Sequence, residues 1–196
     1  EGADLGDALL DRTAIADCNV TAIRWAGASL ALTVLYKADL RGADFSGARL
    51  DNAMLVGANL AGASFRGLSV AKSQFTEADL AGCDFAEANF EQCNFMKANL
   101  VRANFDRGKG TMAIFVEAKL EHASLRDADL RRTLFVDADA TLADFSGADL
   151  TESVHHRARH EGAKLKGCDL TSADLSHANV KAADLSGATL LRTRLH

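Results

Sequence analysis

Proline is absent from all 196 residues, and tryptophan and tyrosine occur once each. A chain this long without proline needs its backbone N–H groups almost everywhere, as a continuously bonded β architecture does. Long apolar runs are missing too, so no stretch reads as a transmembrane span or as the apolar core of a secretory leader. Nor is there an excess of one charge: 27 acidic against 22 basic residues leave a net −5. Such a balance signals neither direct nucleic-acid binding nor a membrane surface. Four cysteines are present without any CxxC spacing, which argues against the common zinc and redox motifs.

What the chain does have is a beat of five. In residues 38 to 65 a large apolar residue recurs at Leu40, Phe45, Leu50, Leu55, Leu60 and Phe65. Alanine stands two places before each, from Ala38 to Ala63, and the register holds from Leu5 to Leu195. Five fits neither a helix of period 3.6 nor an uninterrupted strand of period two. Within a unit, however, the small and large residues are two apart, as on one face of a strand. Each unit therefore reads as a very short strand with two side chains inward, followed by a two-residue corner. One unit buries almost nothing, so units must coil and stack.

The ten phenylalanines, all at the large position, indicate the number of sides. Separations of 20 residues occur six times among them, against two each for 15 and 25. Separations of 10 also occur six times, but a two-sided coil would leave no interior. Four sides per coil place Phe45, Phe65, Phe85, Phe105 and Phe145 on one inner wall. Phe75, Phe95, Phe115 and Phe135 then face them from the opposite wall.

Units such as Ala38-Asp39-Leu40, Ala58-Asn59-Leu60, Ala148-Asp149-Leu150 and Ala173-Asp174-Leu175 resemble the A(D/N)LXX motif of the pentapeptide repeat family. The resemblance covers essentially the whole chain. It implies an all-β solenoid, a right-handed quadrilateral β-helix of about ten coils with four pentapeptides in each. Residues 1–196 are expected to form one such domain. Because the beat is already running at Glu1 and still running at His196, the chain reads as part of a longer protein. Leu5, Leu10 and Ile15 at one end, and Leu185, Leu190 and Leu195 at the other, are apolar floors that need cover.

Cys18, Cys83, Cys93 and Cys168 each take the small inward position, where cysteine serves as a small hydrophobe. They fall on different walls or distant coils, so disulfides are not expected and a reducing cytoplasm fits. Three stretches are expected to be irregular. Near 15–25, Ile15, Val20 and Trp25 replace leucine and Ile23 replaces alanine, which predicts a looser coil. In 106–112, Gly108 and Gly110 take the small and large positions; the spacing of a phosphate loop is lacking, and a bulge or loose corner is predicted, with Gly110 still counted as a side so that Phe115 falls beneath Phe95. In 153–160, His155 and His160 stand where inward leucines belong, with His156 outward. No carboxylate or cysteine joins them at metal-binding spacing, and the expectation is a bulge that lets the imidazoles reach water.

The outer faces can be read by assigning each unit to a wall named after its first large residue. The Leu5 wall is the most acidic, with nine acids against six bases. Its column Asp44, Asp84, Asp144 and Asp184 is interrupted by Arg24, Ser64, Asn104, Ser124 and Lys164. Apolar residues are far less even. At the outward positions flanking the large residue, the Ile15 wall carries Val34, Tyr36, Met54, Val56, Met96, Ile114, Val116, Leu134, Val136 and Val154. A contiguous exposed stripe of this kind marks an interface. Strand propensity alone explains β-branched residues, but not their concentration on one wall. Lys37, Glu77, Lys97, Glu117, Asp137 and Arg157 give the stripe a rim of mixed charge.

No nucleophile–base pair, metal set or pocket-forming loop appears, so neither catalysis nor a cofactor is expected. The primary expectation is a non-catalytic protein–protein interaction scaffold, a rigid rod that docks a protein partner, a flanking domain or a second copy along the Ile15 wall. The family resemblance implies an alternative, a mimic of duplex DNA that binds DNA gyrase or a related topoisomerase. A mimic needs dense acidic columns, since duplex DNA carries a charge every ~1.7 Å of axis, and a wall netting −3 does not supply them. The resemblance also implies a bacterial cytoplasmic setting. Some family members belong to secretion-system proteins and effectors, so delivery by such a system is a further expectation.

Overall fold

The computed structural model describes residues 3–21 and 23–196, and the beat of five becomes a beat of backbone. In Ala38-Asp39-Leu40-Arg41-Gly42, Ala38 and Leu40 point inward and are wholly buried. Asp39 points outward and pairs in parallel with Asn59, one coil on. Arg41 and Gly42 turn the corner. The same pairing of residues twenty apart runs from Asp4 with Arg24 to Asp174 with Arg194. Each side of a coil contributes a single bridging residue, so the walls are four ladders of short parallel rungs rather than extended strands. The result is a four-sided rod of just under ten coils.

The hydrogen bonds explain both the motif and the missing proline. The Leu40 N–H donates to the Asn59 carbonyl at 2.7 Å, and that of Gly42 to the Ala61 carbonyl at 3.0 Å. The Asp39 N–H reaches back to Cys18 at 2.9 Å, and the Ala43 N–H closes the corner on Leu40 at 3.0 Å. One N–H per unit remains, at the first corner residue, and the outward Asp or Asn takes it. The Ser46 N–H donates to Asp44 Oδ1 at 2.8 Å, and that of Met96 to Asn94 Oδ1 at 2.9 Å. In the Asp39 unit all five N–H groups are thus used, that of Arg41 reaching Asp39 Oδ1 at 3.4 Å. Proline would otherwise suit the first corner residue, but there it would strand the carboxylate or amide acceptor.

The second corner residue has a positive φ in every described unit, from 48° at Asp17 to 73° at Gly27. With a bond from residue i+3 to residue i and no positive φ at the first corner residue, these are type II turns. Glycine holds this position at Gly27, Gly42 and Gly147, but leucine and arginine hold it at Leu32, Leu142 and Arg132. An L-residue there costs roughly 1–2 kcal/mol, and valine, isoleucine and threonine never occupy it.

The core is built from two interlocked columns of rings. Phe65 stacks on Phe85 at 4.6 Å between centroids, and Phe95 on Phe115 at 5.0 Å. Across the interior the columns meet edge to face, as Phe85 does Phe95 at 5.8 Å. Offset and edge-on pairs of this sort each add ~0.5–1.5 kcal/mol beyond burial. Trp25 heads the first column, wholly buried above Phe45.

The stretches expected to be irregular differ from one another. Residues 15–25 fall partly outside the described residues at Ala22. Around them the corner between Ile15 and Cys18 lacks the regular turn, while the rung at Arg24 is back in register, its N–H on Ala3 at 3.2 Å. At 106–112 the bulge does not occur. The Gly108 N–H bonds Phe105 at 3.0 Å, the Gly110 N–H bonds Asp129 at 2.8 Å, and Phe115 lies beneath Phe95. Regularity is kept because the ring of Phe90 fills the space the two glycines leave. At 153–160 there is again no bulge: the His155 N–H bonds Asp174 and the His160 N–H bonds Asn179, both at 2.7 Å.

Candidate functional site

The ladder places the predicted stripe as two adjacent columns on one wall. Val34 pairs with Met54, Ile114 with Leu134, and Leu134 with Val154; Gln74 and Asn94 bridge the gap between Met54 and Ile114. Tyr36 and Met54 are exposed, at 38% and 45%, while Val34, Val56, Met96, Ile114, Val116, Leu134, Val136 and Val154 are half-buried by their neighbours. Two further residues extend the patch. Leu32 and Met112, each 48% exposed, sit at left-handed corners two residues before Val34 and Ile114. Their signal in the sequence was a large apolar residue at the corner position that glycine favours.

The stripe is gained at the expense of corner bonds. Where Val34, Met54, Ile114, Leu134 and Val154 replace the usual Asp or Asn, the corner acceptor is gone. The N–H groups of Tyr36, Val56, Val116, Val136 and His156 then find no partner among the described residues. A bias toward stable strands alone would not remove those acceptors.

Charges over the surface, those on the rim of the stripe included, largely answer one another within the chain. Most ion pairs join residues twenty apart: Glu87 with Arg107 at 2.6 Å, Asp137 with Arg157 at 2.6 Å, Asp139 with Arg159 at 2.8 Å, Asp144 with Lys164 at 3.4 Å. Within one unit Arg131 grips Asp129, and that bond holds the Asp129 carboxyl below the usual carboxylate range. In the acidic column of the Leu5 wall, Asp84 takes Arg66 and Asp144 takes Lys164.

The histidines form a buried relay instead of reaching water. His155 and His160 are 1% and 0% exposed on adjacent walls of one coil, with His155 Nδ1 3.0 Å from His160 Nε2. His155 Nε2 lies 2.8 Å from Ser153 Oγ, which donates to the Leu150 carbonyl at 2.5 Å. Since that hydroxyl proton is committed, His155 Nε2–H donates to Ser153, and His160 Nε2–H donates to His155. His160 Nδ1 is left without a partner. Stacking on Phe135 at 4.8 Å and edge contact with Phe145 at 5.6 Å hold the two rings in the phenylalanine columns. Burial drives both below the ordinary value of 6.5, His155 well below and His160 to about 4. His156 instead faces outward, edge-on to His177 at 5.2 Å. Among the described residues no group of three or more metal-ligating side chains comes together.

Cys83, Cys93 and Cys168 are buried and free, donating to the carbonyls of Leu60, Val70 and Phe145 one coil earlier, at 2.8–3.0 Å. Burial pushes each thiol up to about 12. Ser73 uses the same carbonyl position at 2.6 Å, which is why cysteine and serine can replace alanine here.

Comparison with known proteins agrees with this geometry. The family model "Pentapeptide repeats" matches residues 15–52, 28–67, 73–108, 113–151 and 158–195. The chain belongs to the pentapeptide repeat family. As in that family, the rod is a right-handed quadrilateral β-helix. Among solved structures it is similar to HetL, a pentapeptide repeat protein involved in heterocyst differentiation regulation from the cyanobacterium Nostoc sp. strain PCC 7120. The two are 27% identical with a TM-score of 0.70, over 99% of this chain and 87% of that one. Full-length QnrB1, a plasmid-mediated fluoroquinolone resistance protein, is 20% identical with a TM-score of 0.46, over 92% and 91% of the two chains. No match was found among curated proteins. As a pentapeptide repeat protein the chain is a repeat scaffold.

Proposed function

We propose that this rod is a non-catalytic protein–protein interaction scaffold and that its partner docks along the Ile15 wall. The observation that carries the reading is the exchange made there. Hydrogen-bond acceptors have been replaced by apolar side chains on one wall, and Leu32 and Met112 widen the patch from its corner. An apolar centre flanked by charged corner residues has the anatomy of an interface. The pairing of acids with bases one coil apart favours docking over mimicry of DNA, because it neutralises the columns a mimic would display. Among the described residues no arrangement of nucleophile, base and pocket supports catalysis.

The test uses the rod as bait on a cell lysate, beside a Leu134→Lys variant whose fold is checked by circular dichroism. Proteins held by the wild type and lost by the variant are the expected result. Topoisomerase subunits retained equally by both forms would overturn the wall and favour mimicry.

A further inference from the structure

We infer that the wall's occupant is a second copy of this chain. The two rods lie antiparallel and face to face, about a two-fold axis between the rungs of Gln74 and Asn94. This rests on the docking reading above and names its partner. The wall is its own complement when turned end over end about that axis. In one column Val34 meets Leu134 of the other copy and Met54 meets Ile114. In the next, Tyr36 meets Val136 and Val56 meets Val116. The two amides interrupting the stripe meet each other, Gln74 against Asn94, once on each side of the axis. Asn94 Oδ1 already accepts the Met96 N–H at 2.9 Å, so its amide N–H groups are free for the Gln74 of the second copy.

The rims obey the same symmetry with opposite sign. Asp17 falls opposite Arg157, Lys37 opposite Asp137, and Glu77 opposite Lys97; on the other rim Arg12 falls opposite Glu152. Every charged residue left over meets an uncharged one, as Glu117 meets Gly57 and Lys72 meets Gln92, so no like charges are brought together. A parallel pairing also separates like charges, but it sets Asn94 against Met96 and leaves its amide unanswered. A donor left desolvated and unpaired weakens an interface, and this favours the antiparallel arrangement.

The contact is modest in size. The eight rungs from Ala14 to Val154 are seven steps of ~4.8 Å and span about 34 Å, and the flat of the wall is about three extended residues wide. That lies below the usual size of stable specific interfaces and in the range of weak, transient ones, so the expected dimer dissociates on dilution in the micromolar range or above.

The experiment is sedimentation velocity on the purified chain over a concentration series. The expected result is a monomer–dimer equilibrium weakened at least tenfold by Leu134→Lys. Lys37→Glu is expected to weaken it severalfold, and Asp137→Lys added to that variant is expected to restore it. Residues 37 and 137 are five rungs, about 24 Å, apart in one chain, so such a rescue acts across the interface. Failure of rescue overturns the antiparallel register. A chain that stays monomeric throughout, while Leu134→Lys still loses a lysate protein, overturns the dimer and leaves the docking reading intact. If Leu134→Lys alters neither assembly nor capture, both fall.

Discussion

Phe90 occupies the space that Gly110 leaves one coil below it. A β-carbon on Gly110 would overlap the Phe90 ring, and one on Gly108 would come within 2.5 Å of it. Volume is therefore shared between coils, with a large ring above and two glycines beneath. Gly110 has no positive φ, so its backbone would accept leucine and only the space forbids it.

This predicts a coupled pair. Gly110→Leu alone overpacks the core and should lower stability by about 1–3 kcal/mol. Phe90→Leu alone leaves a cavity and should also destabilise. Together they restore the family pattern, and the double variant should be more stable than the sum of the two losses requires. A double-mutant cycle by thermal or urea denaturation reads the coupling; strict additivity would refute the shared volume.

The buried histidine pair makes stability depend on acid. Both rings bind protons more readily unfolded than folded, because burial holds His160 at about 4 against an ordinary 6.5 and His155 well below. Their contribution is thus complete above about 6.5 and is lost as the pH falls through 4. For His160 the shift amounts to about 3 kcal/mol. Replacing the pair as His155→Phe with His160→Leu should flatten the loss of stability between pH 6.5 and 4, measured by denaturation at each pH. An unchanged profile would show that carboxylates alone carry the acid sensitivity.

Three of the four thiols should be silent. Cys83, Cys93 and Cys168 are buried with thiols pushed up to about 12, whereas Cys18 is only half-buried. The thiolate is the reactive form. Native protein treated with iodoacetamide near neutral pH should gain at most one adduct, at Cys18, and denatured protein four. Rapid native labelling at Cys93 would contradict the burial.

Corners that hold leucine carry strain that can be relieved. Leu142 has φ 58° and is 52% exposed, so little packing is lost with its side chain. Leu142→Gly should raise stability by up to about 1 kcal/mol, the αL penalty less glycine's entropic cost. Leu142→Val should lower it by about as much, since a β-branched residue fits that region worst. Melting temperatures moving in the same direction for both variants would refute the account.

Much of this was legible in advance, for a specific reason. The inward positions repeat every five residues and the phenylalanines every twenty, so number of sides, register and membership of each wall follow from arithmetic on residue numbers. The stripe from Val34 to Val154 followed the same way. Leu32 and Met112 were missed because only the positions flanking the large residue were read as outward faces, while corner residues also border a wall. The bulges expected at Gly110 and at His155 were misjudged because each residue was weighed against its own unit.

Sequence alone thus determined the quadrilateral rod, since every unit must bury the same two side chains and bond its neighbours one coil away. Tertiary structure decided what happens where a unit departs from the rule. Phe90 fills the gap of Gly110, Ser153 and two imidazoles bond one another inside the core, and Arg107 answers Glu87. These outcomes depend on residues that stacking brings together across coils or walls. Side-chain volume, hydrogen-bond direction and charge are settled between such neighbours, not along the chain.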